Sequence, residues 1–213
     1  MPRHPARLTE NAAYRGGGLV AFTRLRFCLA LCTATIVPGL CVTGVLAAEP
    51  LPTVPSVDLG RYAGTWHEVA RLPNWFQRSC VRSTARYIPN ADGSMTVINT
   101  CTKANCRQSS IEGVATAVPC SGNARLRVKF GGMAALAPAS REGNYWIIAL
   151  DRDSYQWAMV GTPDRRFLWI LSRQPCLDPQ VYARLKQQAC RLGFDVGSLV
   201  PWIHAGVNHH HAV

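Results

Sequence analysis

Between residues 65 and 173 the chain breaks into eight short apolar runs, each closed by a turn signal, with no helical stretch between them. The runs are 65–72, 81–88, 94–102, 109–118, 124–130, 144–150, 155–161 and 167–173. Pro89-Asn90-Ala91-Asp92-Gly93 separates the second from the third and reads as a hairpin turn. Run 124–130 alternates with period two, with Leu126, Val128 and Phe130 on one face and Arg125, Arg127 and Lys129 on the other. Consecutive short strands joined by hairpins point to an antiparallel sandwich or a closed barrel. A single helix follows. Asp178 can cap it, Pro179 sits in its first turn, Val181, Leu185 and Ala189 give it an apolar stripe, and Gly193 ends it.

The segment ahead of the strands reads as an address. Residues 27–48 carry no charge, follow Arg24 and Arg26, contain Pro38-Gly39, and end in Val45-Leu46-Ala47-Ala48. That pattern matches a secretory signal peptide over 24–48, with residues 1–23 as an extension before it. A membrane anchor is the competing reading, since the uncharged stretch is long enough to span a bilayer. Pro38, Gly39 and three threonines weaken it. Leu40 precedes Cys41 and Leu31 precedes Cys32, where a lipidation site needs a small residue, so a lipid anchor is not expected. Residues 49–56, rich in proline, form an extended lead-in. The domain spans 57–200, and 201–213, with His209-His210-His211, reads as a disordered tail.

Export agrees with the cysteines. Six of nine lie beyond the signal: Cys80, Cys101, Cys106, Cys120, Cys176 and Cys190. An even number in an exported domain suggests disulfides. There is no Cys-x-x-Cys pair and no histidine near these cysteines in sequence, so no metal site is expected. Cys80 opens the second strand and Cys101 closes the third, which places both at the same end of one hairpin and predicts a Cys80–Cys101 bridge. A Cys106–Cys120 pair would span a strand and a Cys176–Cys190 pair a helix, both too long for a disulfide. The pairing of these four stays open.

Gly60-Arg61-Tyr62-Ala63-Gly64-Thr65-Trp66 at the first strand resembles the signature of the lipocalins. Ile148-Ala149-Leu150-Asp151 to Tyr155 with Val160-Gly161 and Pro163-Asp164-Arg165, and the closing Leu168-Trp169-Ile170-Leu171-Ser172-Arg173, resemble the family's other two elements. Taken in order over roughly 57–200, they are most similar to the bacterial lipocalins of the outer membrane, relatives of apolipoprotein D and the plant temperature-induced lipocalins. The resemblance implies an all-β, eight-stranded antiparallel up-and-down barrel with a C-terminal helix packed outside. It implies that 58–63 form a helical turn across one end, that Trp66 plugs that end after a tight turn at Gly64, and that Arg173 stacks on Trp66. An eight-stranded barrel is just wide enough to hold one small ligand.

Counting period two from Trp66 turns Glu68, Ala70 and Leu72 inward. Ala85 and Tyr87 join them, because Thr84 and Arg86 suit solvent better. Asn99, Leu126, Val128, Phe130, Phe167, Trp169 and Leu171 complete the expected interior, with Trp146 and Trp157 as further candidates. Such a lining suits a small hydrophobic ligand, a fatty acid or a lysophospholipid, held in the cell envelope. Residues 131–139, GGMAALAPA, form an apolar loop expected at the open end, where a lid, a membrane contact or a homodimer patch are the options.

The net charge is +11, and +7 from residue 49 onward, where 18 basic residues face 11 acidic ones. This favours an anionic membrane surface, whereas nucleic-acid binding has only net charge behind it. No nucleophile–base–acid motif is present, so no enzyme activity and no cofactor are expected. The alternatives are an enzyme on the same scaffold, which would need a free inward cysteine, and a protein-interaction or inhibitor barrel, which would need an interior filled at every level.

Overall fold

The computed structural model describes residues 49–131 and 141–201. The extension and signal at 1–48, residues 132–139 of the apolar loop and the tail from 202 lie outside the described residues. A four-residue helix α1 (Leu59–Tyr62) leads into β1 (Gly64–Arg71), β2 (Cys80–Pro89), β3 (Met95–Lys103), β4 (Gln108–Ala117), β5 (Arg125–Phe130), β6 (Tyr145–Leu150), β7 (Trp157–Gly161) and β8 (Leu168–Ser172). Helix α2 (Pro179–Arg191) and a two-residue strand β9 (Val200–Pro201) follow. All pairings are antiparallel, in the order β2-β3-β4-β5-β6-β7-β8-β1-β9, and β1 also pairs with β2. The eight strands therefore close into an up-and-down barrel, and β9 is an added ninth strand at Ala70 and Arg71.

The helix forms where its caps predict. Asp178 accepts from the amides of Gln180 and Val181, and Pro179 occupies the first turn. Its buried stripe, Leu185 and Ala189, packs on the outside of the barrel with Phe194, against Met159, Leu168 and Ile170. The barrel thus has two apolar layers. One is the interior, with Trp66, Tyr87, Val97, Leu126, Val160 and Leu171. The other lies between β1 and β6–β8 and the helix.

The second layer explains where sequence periodicity fails. β6, β7 and β8 are buried on both faces, so YWIIAL, WAMVG and LWILS lose the polar half of the alternation. Trp146 and Trp157, expected inward, belong to the outer layer, and Tyr145 takes the inward position beside Trp146. Ala70 and Leu72, also expected inward, lie in the outer layer too. Their displacement has a local cause: the β1–β8 register shifts between Glu68 and Ala70. Such a bulge inserts one residue and exchanges the faces beyond it. Trp66 and Glu68 point inward before the bulge. Arg71, paired with Trp169, points inward after it.

Candidate ligand-binding site

The chain crosses one end of the barrel as α1. Asp58 caps that turn by accepting from the Gly60 and Arg61 amides at 2.9 and 3.1 Å, and its own amide donates to the Tyr155 hydroxyl. The strand then starts at Gly64, whose φ of 96° lies in the left-handed region that glycine adopts without strain. Two residues on, Trp66 is fully buried and its indole N–H donates to the Tyr62 carbonyl at 2.8 Å. Arg173, arriving from the end of β8, lays its guanidinium 3.8 Å from the Trp66 ring centroid. It donates to the carbonyls of Thr65 (3.0 Å), Arg61 (2.8 Å) and Tyr155 (3.2 Å). Burial lowers the Arg173 pKa. Arg61 closes the outside of the same end, over the Tyr155 ring and onto the Arg152 and Asp153 carbonyls.

Above this floor sit three tyrosines. The Tyr62 and Tyr145 hydroxyls are 2.7 Å apart, and Tyr87 donates to the Tyr145 hydroxyl at 2.8 Å. Burial pushes all three phenol pKa values up, so they stay protonated across the physiological range. Three hydroxyl protons serve two mutual hydrogen bonds, which leaves one O–H to donate to another acceptor. No sequence rule singled out Tyr145. Its only signal was its place next to the more conspicuous Trp146.

Solvent access among the inward side chains follows a gradient. At the level of the tyrosines Met95, Val97, Ala115, Leu126 and Leu171 are at most 4% exposed. Ala85, beside Trp66, and Asn99, Phe130 and Trp169 are only partly buried, and Ile111 is 38% exposed. Trp66, Ala85, Asn99 and Ile111 are successive register partners across β1 to β4, and exposure rises along that row from the buried Trp66 to Ile111. The Asn99 Oδ1 atom is shut from solvent and has no hydrogen-bond partner among the described residues. Two residues along β4 from Ile111, Gly113 faces Val97 and makes room for Phe130. A Cβ at Gly113 would run into the Lys129 carbonyl and the Phe130 ring.

A polar knot stands at the open end. Glu68 and Arg71 are 6% and 7% exposed and bridge at 2.9 Å. Gln77 holds them: its amide nitrogen donates to Glu68 Oε2 at 2.7 Å and Ser83 Oγ at 3.2 Å, and its carbonyl accepts from Arg71 at 2.9 Å. Gln77 Oε1 accepts from the Trp169 indole at 3.1 Å and from Asn74 at 2.6 Å. Phe167 stacks on Trp169 at 6.0 Å, and Phe76 meets Phe167 edge-on at 5.7 Å. The sequence turned Glu68, Phe167 and Trp169 inward but not Gln77 or Arg71, because only the bulge turns Arg71 inward. The Cys80–Cys101 disulfide, expected from the hairpin, ties β2 to β3 at this rim with Cα atoms 5.3 Å apart.

The comparisons now decide the family. A family model for the lipocalin-like domain matches residues 57–203. The chain is a lipocalin. Temperature-induced lipocalin-1 of Arabidopsis thaliana is 37% identical over 71% of this chain and 81% of its own length. Outer membrane lipoprotein Blc of Escherichia coli strain K12 is 36% identical over 75% and 88%. Bovine apolipoprotein D is 31% identical over 63% and 70%. Among solved structures, insecticyanin from the tobacco hornworm Manduca sexta superposes with a TM-score of 0.54 over 75% of this chain and 87% of its own, at 19% identity, which supports the fold alone. Lipocalins bind small hydrophobic ligands.

Proposed function

We propose that this lipocalin binds a single-chain amphiphile, a fatty acid or a lysophospholipid, and stores or carries it in the bacterial cell envelope for membrane maintenance. The gradient of exposure inside the barrel carries this reading. Trp66 and the tyrosines are buried at the closed end, and the inward side chains that stay partly exposed are Ala85, beside Trp66, and Asn99, Ile111, Phe130 and Trp169. From Tyr87 to the Cys80–Cys101 rim, β2 climbs roughly 15 Å along a tilted barrel. An extended aliphatic chain matches that length, and an eight-stranded barrel is just wide enough to hold one small ligand. The chain's apolar length would lie against Ala85, Phe130 and Trp169, and its polar end would reach the Glu68–Arg71–Gln77 knot or the unpartnered Asn99 oxygen. Export is supported by the signal-like residues 24–48 and by the similarity to outer membrane lipoprotein Blc.

The free cysteines favour binding over thiol chemistry. Cys106, Cys120, Cys176 and Cys190 are all exposed, on turns and on α2, away from the inward faces. Native mass spectrometry of the protein isolated from its own cell envelope tests the proposal. One bound lipid carrying one acyl chain per molecule is the expected result. A ligand without an alkyl chain, or an apoprotein that takes up no acyl lipid when challenged, would contradict it.

A further inference from the structure

The open end carries a feature that ligand binding leaves unused. Asn74 starts a short turn over Trp75–Gln77, and two large aromatics leave it toward solvent: Trp75 is 67% exposed and Phe76 50%. Their rings meet edge-on at 5.6 Å. The turn is not loosely held. Asn74 is buried and accepts from the Gln77 amide, and Gln77 is anchored in the barrel mouth. The chain therefore fixes two aromatics in water at the expense of exposed apolar surface, beside Val200, itself 43% exposed. A cleft of about 190 Å³, lined by Arg71, Pro73, Asn74, Trp75, Arg78 and Val200, opens next to Trp75.

Charge is divided between the two ends of the barrel. The described connections at the open end, 72–79, 104–107, 141–144 and 162–167, hold five basic residues (Arg78, Arg107, Arg141, Arg165, Arg166) against Glu142 and Asp164. The connections at the closed end, 58–63, 90–94, 118–124, 151–156 and 173–178, hold three basic residues against Asp58, Asp92, Asp151, Asp153 and Asp178. A neutral partner would not call for this division. An anionic lipid surface does: aromatic rings seat at the headgroup level and nearby basic side chains gain from the negative surface potential.

We propose that the Trp75–Phe76 turn docks the barrel mouth-first on an anionic bilayer, with Arg78 at a lipid phosphate in the adjoining cleft. The inference rests on the lipid-binding reading and adds an orientation, with the ligand entrance facing the membrane that supplies or receives the ligand. The test is co-sedimentation of the exported protein with phosphatidylcholine vesicles, with and without phosphatidylglycerol. Wild type, Trp75→Ser/Phe76→Ser and Arg78→Gln are compared in the same chain form. Binding should require phosphatidylglycerol and weaken as salt is raised. It should fall about tenfold or more in the aromatic variant and severalfold in Arg78→Gln.

Near-ultraviolet circular dichroism shows that each variant is folded, and Arg78→Gln, which removes no packed side chain, serves if the aromatic variant is not. Equal sedimentation of wild type and both variants, or equal binding to pure phosphatidylcholine, overturns the inference. So does a wild-type dimer that the aromatic variant splits without any change in vesicle binding, since the turn would then join two copies. Acyl-ligand displacement without vesicles is measured alongside with wild type and Arg78→Gln. If wild type displaces the probe yet its vesicle binding ignores Trp75 and Phe76, docking alone has failed. If wild type binds no acyl ligand at all, the lipid-binding reading has failed.

Discussion

Arg173 and Trp66 form one unit at the closed end, the guanidinium 3.8 Å from the ring centroid and hydrogen-bonded to three carbonyls around it. The unit ties the end of β8 to the start of β1 and to α1, where the barrel closes. Removing the cation leaves the Thr65, Arg61 and Tyr155 carbonyls to find other donors. Arg173→Ala should lower stability by about 2 kcal/mol, discounted for its partial exposure. Arg173→Lys should recover only part of this, because an ammonium cannot reach three carbonyls from a stacked, planar geometry. Trp66→Ala, which empties the floor, should cost about 3–5 kcal/mol. Urea unfolding of the three variants measures this order directly.

The tyrosine triad predicts an alkaline limit. In the folded state Tyr62, Tyr87 and Tyr145 have raised pKa values, chiefly from burial. Their unfolded values lie near 10. The stability contributed by keeping these phenols neutral is therefore fully present below about pH 10 and is lost as pH rises beyond it toward the folded values. Part of the tyrosinate absorbance should appear only together with loss of tertiary structure. Tyr145→Phe should make the decline of stability with pH shallower, and should itself cost about 1–3 kcal/mol by stranding the Tyr62 and Tyr87 hydroxyls. Phenols that all titrate in a still-folded protein would contradict the buried network.

What could be read from the sequence divides along the same lines as the packing. The eight strands, the cap at Asp178 and the Cys80–Cys101 bridge were legible, because each depends on local rules: turn residues, hairpin geometry, a capping side chain; the floor from Gly64 to Trp66 was implied by the family resemblance. β5 was also legible, because its outer face meets water and keeps Arg125, Arg127 and Lys129. β6 to β8 were not, because α2 covers their outer face and both sides of each strand are apolar. That is why Trp146 and Trp157 were assigned to the wrong side. Ala70, Leu72 and Arg71 were misplaced for a different reason: a single bulge at Glu68/Ala70, invisible in composition, exchanges every face after it. The mouth of the site lies beyond that bulge, so the site was less legible than the fold.

Gln77 is the hub that the bulge makes possible. Gln77→Leu keeps the volume but withdraws hydrogen bonds from Glu68, Ser83, Asn74 and the Trp169 indole. Stability should fall by about 1–3 kcal/mol. Trp169 fluorescence should also shift, since its N–H loses a fixed acceptor; unfolding curves and emission spectra of wild type and variant check both.

The disulfide encloses a short loop, with a sequence separation of 21. Cys80→Ser/Cys101→Ser should destabilise the exported protein by about 3 kcal/mol. Since the bridge also defines the rim between β2 and β3, ligand release should be faster in the variant, measured by stopped-flow displacement at a temperature where both forms are folded.

In the proposed function the barrel interior, and not the outer layer, receives one acyl chain. Ala85 is its most direct probe, an inward, partly exposed small residue in register between Trp66 and Asn99 with no side-chain hydrogen bond to lose. Displacement of a fluorescent fatty acid by lysophospholipid, titrated with wild type, Ala85→Trp and the outer-layer control Trp157→Phe, measures occupancy of that space. The account predicts saturable, one-to-one displacement in wild type and Trp157→Phe and a loss of at least about tenfold in affinity in folded Ala85→Trp. Unchanged affinity in Ala85→Trp, or no saturable binding in wild type, would contradict it.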